Sequence, residues 1–185
     1  MCGIVGYVGT KRQAYPILIK GLKRLEYRGY DSAGLALLAA GGIERVRAVG
    51  RVAELQTAAS GCSAHTGIAH TRWATHGGPS DINAHPHSDE NGDFVIVHNG
   101  IIENYQEIKA ELTGKGYTFS SETDTEVLVN LVAERRKTAP DLLHAFATAL
   151  REAHGAYAVC LMDKDEPGVI YAARMSAPLI FGQGT

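Results

Sequence analysis

Cys2 stands directly behind the initiator methionine in "MCGIVGYVG", so removal of a single residue would place a thiol and a free α-amine on one carbon skeleton. Whether that adjacency is chemistry depends on the other reactive side chains, which gather in five short stretches. These are "YRGYDSAG" (27–34), "HTRWATHG" (70–77), "NAHPH" (83–87), "HNG" (98–100) and "SETDTE" (121–126). Each has a plain structural reading when taken alone. "HNG" is a common turn, "YRGYDSAG" suits the end of a helix with its loop, and an exposed arginine such as Arg72 is ordinarily a solvated charge. Their placement gives them weight, because they fall at the ends of expected strands and in the loops that follow, where sites are usually built.

The chain has eight histidines, with His85 and His87 in an HxH pair and His70, His76 and His98 nearby in sequence. A zinc site would want further His, Cys or carboxylate ligands at defined geometry, and the spacing here matches no strong pattern, so no metal is expected. Loop histidines bonded to backbone are the better account. The glycines of "GIVGYVG" lie three apart, which is neither GxxxxGKS/T nor GxGxxG, so nothing calls for a nucleotide or other cofactor.

The elements that must position these residues follow from periodicity. Residues 2–8 read as a short apolar strand, and helical spacing of Ala14, Ile17, Leu18, Leu22 and Leu25 predicts a helix over about 11–26. "GLALLAA" and "IERVRAV" read as a hairpin across Gly41-Gly42, followed by a weak helix at 52–59 and the strand "TGIAHTRW". After a loop rich in Gly, Pro, Asn and His, "DFVIVHNG" is a strand that runs into a helix at 104–113. Further helices are expected over 124–138, capped by Thr123 or Asp124, and over 140–153 behind Pro140. "AYAVCLMD", "GVIYAAR" and "PLIFG" close the chain as strands. Strand pairs followed by helix pairs, with few βα alternations, predict an α+β architecture of antiparallel sheets covered by helices.

The chain of 185 residues has the length of one well-buried domain and shows no break in composition. Its formal charge of -2, from 18 basic and 20 acidic residues mixed along the chain, argues against nucleic acid or an anionic membrane as a main partner. No apolar run approaches the roughly 20 residues of a membrane helix, and no signal-peptide pattern opens the chain, so a soluble cytoplasmic protein is expected. The three cysteines, Cys2, Cys62 and Cys160, show no paired spacing. Cys160, inside an apolar run, reads as a core residue and Cys62 as a loop residue.

Taken together and in this order, "CGIVGY", "LEYRGYDSAG", "GIAHTRWATHG", "NAHPH", "IVHNGIIEN" and "GYTFSSETDTE" resemble the glutaminase domain of class II glutamine amidotransferases, within the N-terminal nucleophile hydrolase superfamily. The resemblance runs from Cys2 to about Gly182. It implies an αββα four-layer sandwich and hydrolysis of L-glutamine to glutamate and ammonia. Cys2 would be the nucleophile once Met1 is removed, with its own α-amine as base, directly or through a water. An α-amine titrating near ~7.7–8 can accept a proton from a thiol near ~8.5 with almost no energetic mismatch.

The same resemblance assigns the oxyanion hole to the Asn99 side chain and the Gly100 N–H, and a supporting place beside the nucleophile to Arg28 and Gly29. It assigns the substrate α-carboxylate to Arg72, Thr75 and His76, and the α-ammonium to Asp124. Trp73 would belong to a loop covering glutamine, or else anchor the core. "RGYDSAG" and "HTRWATHG" match the sugar-phosphate branch of the family best, which implies ammonia passed to fructose 6-phosphate in a sugar-isomerase part, and a homo-oligomeric parent. The branches acting on phosphoribosylpyrophosphate or forming asparagine, and a non-catalytic glutamine-binding domain, are the alternatives. The family's domain continues past "PLIFGQGT" with further strands, so a shortened domain is expected.

Overall fold

Alternating apolar runs dictate two antiparallel sheets, each of four strands among the described residues, in a computed structural model that describes every residue except 1, 12, 60–62, 75 and 185. The first sheet holds β1 (Gly3–Val8), β2 (Ser32–Ala39), β3 (Gly42–Val49) and β4 (Thr66–Arg72) in the order β1-β4-β2-β3. The second holds β5 (His87–Ser88), β6 (Phe94–Ile102), β7 (Gly155–Asp163) and β8 (Tyr171–Met175) in sequence order. The hairpin expected across Gly41-Gly42 is present, with Leu35 opposite Val46 and Ala39 opposite Gly42.

Period-two side chains make both faces of the central strands useful. In β2, Leu35 and Leu37 pack outward with Leu18 and Leu22 of α1 (Ala14–Leu25) and Leu55 of α2 (Val52–Ala58), while Ala36 between them faces the other sheet. In β7, Val159 and Leu161 point to α3 (Tyr105–Gly114), α4 (Asp124–Arg136) and α5 (Leu142–Glu152), and Cys160 and Met162 point inward. The middle layer is thin: Ala36, Ile68, Val95, Val97, Cys160 and Met162 join the two sheets face to face. The result is helices, sheet, sheet, helices, the αββα sandwich that the family resemblance implies. Cys160 is a core residue, and burial pushes its thiol up to about 11.

Helix starts follow local chemistry. The Thr123 hydroxyl accepts the Glu126 N–H at 3.3 Å and opens α4, and the Asp141 carboxylate accepts the His144 N–H at 2.8 Å and opens α5. The first turns of α4 are buried on every side from Asp124 to Val132, because the helix lies between β6 and its two helical neighbours. No helix among the described residues is long and apolar enough to cross a membrane.

One expected strand is absent. "PLIFG" (178–182) forms no ladder, and Ile180 and Phe181 are 92% and 79% exposed. A strand needs a partner edge. The bridge of Ser176 to Tyr157 is the last sheet-like pairing among the described residues before this segment, which retains only a partial packing contact through Leu179. The two-residue strand β5 was not expected, since its pairing with Val95 and Ile96 depends on a distant part of the chain.

Candidate active site

The register of β1 against β4, with Gly3 opposite Thr71, carries Cys2 to the end of the ladder beside Arg72 and Trp73. There the Trp73 N–H donates to Cys2 Sγ at 3.2 Å, and the thiol lies 3.5 Å from the Trp73 carbonyl. The backbone at 72–74 is pinned from below. Asp31 accepts the Ala74 N–H in a short bond through one carboxylate oxygen and the Ser32 hydroxyl at 2.9 Å through the other, while its own N–H donates to the Arg72 carbonyl at 3.2 Å. Gly29 makes this packing possible, because a Cβ there would sit 2.7 Å from the Arg72 carbonyl carbon and oxygen. Arg28 ends the short 3-10 turn Glu26–Arg28 next to this glycine and is half-buried.

Burial pushes the Cys2 thiol above its ordinary value, and the Asp31 charge adds to this. The Trp73 N–H and the Arg72 charge act in the opposite sense without reversing it. The resting sulfur is therefore a thiol, and nucleophilic attack from it requires a base to take the proton.

The facing sheet supplies the second half of the site. On β6 the Asn99 amide Nδ2 donates to the Cys2 carbonyl at 3.3 Å, and its Oδ1 lies 2.9 Å from His70 Nε2 of β4. Gly100 follows with φ +128, and a Cβ at this position would lie 1.9 Å from the Ala156 carbonyl oxygen. Only glycine fits that backbone. Asp124, at the start of α4, is buried and accepts the Ile102 N–H through Oδ2 at 2.8 Å. Its other oxygen meets the Thr125 hydroxyl at 3.5 Å, and His98 Nδ1 stands 3.9 Å from Oδ2. Burial lowers the His98 pKa against the pull of Asp124, so this contact joins a carboxylate to a neutral ring.

Arg72 is 3% exposed, and its guanidinium donates to the carbonyls of His76 at 2.5 Å, Gly77 at 2.9 Å and Gly78 at 3.4 Å. The arginine thus shapes the loop after β4 as well as carrying charge into it. The His76 ring packs edge-on against Tyr105 at 5.0 Å. Trp73 is 50% exposed and forms a T-shaped pair with Tyr30 at 5.6 Å, so it is no core anchor. Thr75 lies outside the described residues, as does Cys62. No group of three or more potential metal ligands occurs among the described residues.

Two residues inside the quoted motifs acquire roles that their types alone did not announce. Asp31 sets the backbone beside the sulfur, and His70 holds the Asn99 amide. The signal for both was position within a reactive stretch; neither partner is near in sequence.

A family profile described as a glutamine amidotransferase domain matches residues 70–183, which include most of this constellation. The chain belongs to the glutamine amidotransferase family. This glutamine amidotransferase domain is 55% identical over its whole length to the glutamine–fructose-6-phosphate aminotransferase (isomerizing) of Bacteroides thetaiotaomicron and 52% identical to that of Pseudomonas putida, covering 30% of each. It spans about a third of the length of the curated relatives it matches. Among solved structures it is similar to the glutamine phosphoribosylpyrophosphate amidotransferase of B. subtilis, in complex with ADP and GMP, with a TM-score of 0.76, 28% identity and coverage of 94% of this chain and 36% of that one. A second structure, described as the allosteric regulatory enzyme of purine biosynthesis, gives a TM-score of 0.77 at 27% identity, with coverage of 89% and 36%. Those likenesses agree with the two facing antiparallel sheets and their helical covers.

Proposed function

We infer that residues 1–185 act as one glutaminase domain that hydrolyses L-glutamine to glutamate and ammonia through a thioester on Cys2. The observation that carries this reading is the bond, across two sheets, from the Asn99 amide to the backbone carbonyl of Cys2 at 3.3 Å, which places an N–H donor beside the residue that bears the thiol. A nucleophile and a fixed N–H donor held together before substrate arrives are what acyl transfer needs.

With Met1 removed, the α-amine takes the thiol proton, the sulfur attacks the side-chain amide carbon of glutamine, and the new oxyanion is met by Asn99 Nδ2 and the Gly100 N–H. Collapse returns the proton to the leaving nitrogen, ammonia departs and the C–S bond remains. Water, deprotonated by the same amine, then adds to the thioester, and collapse expels the thiolate.

Substrate ends are held by charge. Arg72 has five N–H donors of which the loop carbonyls use some, and the remainder, with Thr75 and His76, take the α-carboxylate. Asp124 takes the α-ammonium through the carboxylate edge not used by Ile102. Arg28 supports the turn beside the nucleophile, and Trp73, exposed next to the sulfur, closes over bound glutamine and limits access of water. The names of the relatives, and their greater length, support transfer of the ammonia to fructose 6-phosphate in a sugar-isomerase part of a longer enzyme.

Intact mass spectrometry before and after 6-diazo-5-oxo-L-norleucine tests the reading. A chain starting at Cys2 that gains one adduct, mapped to that residue, is the expected result. A retained Met1, or a processed chain that gains no adduct, overturns it.

A further inference from the structure

We propose that His70 is a positioning residue for the oxyanion hole, fixing which end of the Asn99 amide faces the nucleophile; the proposal rests on the glutaminase reading above. An asparagine amide is nearly symmetric in shape, so its environment must distinguish oxygen from nitrogen. Here the distinction is made by one imidazole nitrogen with two neighbours. His70 Nε2 lies 3.0 Å from the His98 carbonyl and 2.9 Å from Asn99 Oδ1. A backbone carbonyl can only accept, so Nε2 carries the hydrogen. A protonated Nε2 must in turn meet an acceptor on Asn99, which turns Oδ1 toward His70 and Nδ2 toward Cys2.

The rest of the surroundings keep the ring in that tautomer and plane. His70 is 1% exposed and lies at 4.1 Å and 14° on the His85 ring, whose Nδ1 accepts the His98 N–H at 3.4 Å. His70 Nδ1 is buried with no hydrogen-bond partner among the described residues, which suits a bare lone pair and would penalise a second N–H. The chain of dependence is therefore ordered. The His98 carbonyl sets the His70 tautomer, His70 sets the Asn99 amide, and Asn99 presents a donor to the substrate oxygen.

The test is a double-mutant cycle on glutamine hydrolysis, with His70→Phe and Asn99→Ala separately and together, and His70→Gln as the conservative variant. His70→Phe is expected to lower kcat by about 10-fold to 100-fold, less than the roughly 100-fold to 1000-fold cost of removing an oxyanion donor outright because the amide is misplaced and not deleted, with KM within about twofold. In the Asn99→Ala background the same substitution is expected to change kcat less than about threefold, because the group it positions is gone. Glutamine can offer an amide N–H near the same place and is expected to recover part of kcat.

Equal losses in both backgrounds overturn the proposal, as does a loss confined to KM. A readout independent of turnover keeps it testable if His70→Phe folds poorly or the glutaminase reading fails. The Asn99 side-chain amide resonances, assigned by their disappearance in Asn99→Ala, are expected to collapse toward free-amide shifts in His70→Phe and to stay dispersed in His70→Gln. Unchanged Asn99 resonances in both variants reject the positioning role. Wild-type protein that neither turns over glutamine nor labels at Cys2 rejects the function while leaving this test intact.

Discussion

Four histidines, His70, His85, His87 and His98, are 1–6% exposed, and mild acid is expected to destabilise the fold through them. Burial drives the His70 pKa down from 6.5 to about 3, outweighing its bond to Asn99, and holds His85 and His87 well below 6.5 and His98 below it. Unfolding returns each ring to ordinary behaviour, so below pH 6.5 the unfolded chain binds protons that the folded chain refuses. Stability present above pH 6.5 is therefore lost as the pH falls, and for His70 the loss continues down to about 3.

Between pH 7.5 and 5.5, His70 alone costs about 1.4 kcal/mol, from RT times the logarithm of the roughly tenfold excess of protonated imidazole in the unfolded state. His85, His87 and His98 add terms of the same sign, against a typical total stability of about 5–15 kcal/mol. Groups facing the rings do not cancel this. Arg45, Arg47 and Arg72 disfavour added charge, and Asp124 opposes it only at His98. Asp89 and Asp163, whose carboxyls burial holds above their ordinary range, act with the opposite sign, stabilising the fold as they protonate. Urea unfolding at pH 7.5, 6.5 and 5.5 measures the effect. His70→Gln, which has no titrating ring, should reduce the loss by about 1.4 kcal/mol. Stability that is flat over this range, or His70 titrating near 6.5 in the folded protein by NMR, refutes the reasoning.

Gly100→Ala must place a methyl 1.9 Å from the Ala156 carbonyl at φ +128; a loss of roughly 3 kcal/mol or more in urea unfolding is expected, with glutaminase activity abolished. Asp124→Asn keeps an acceptor for the Ile102 N–H but removes the charge, so glutamine KM should rise at least about tenfold with little change in melting temperature. Trp73→Ala, at a half-exposed site, should leave stability within about 0.5 kcal/mol in urea titration. Its effect should appear in steady-state kinetics as a higher KM for glutamine. Thr123→Ala removes the cap of α4 and the contact of its hydroxyl with His87 Nε2 at 3.2 Å, with an expected cost of about 1 kcal/mol in the same titration.

The sequence by itself determined what depends on near neighbours. Period-two runs and helical spacings gave the elements; Thr123 capped α4 through a residue three positions on; and the reactive stretches marked where the site would lie. Tertiary structure decided everything that needs a distant partner. "PLIFG" is as apolar as the real strands, yet finds no edge among the described residues and stays exposed. Arg72 turns its guanidinium into the loop it precedes, and Asp31 bonds Ala74, 43 positions away. The His70 tautomer follows from a carbonyl on the opposite sheet. Hydrogen bonding and desolvation depend on what packing brings close, and only the folded chain supplies those neighbours.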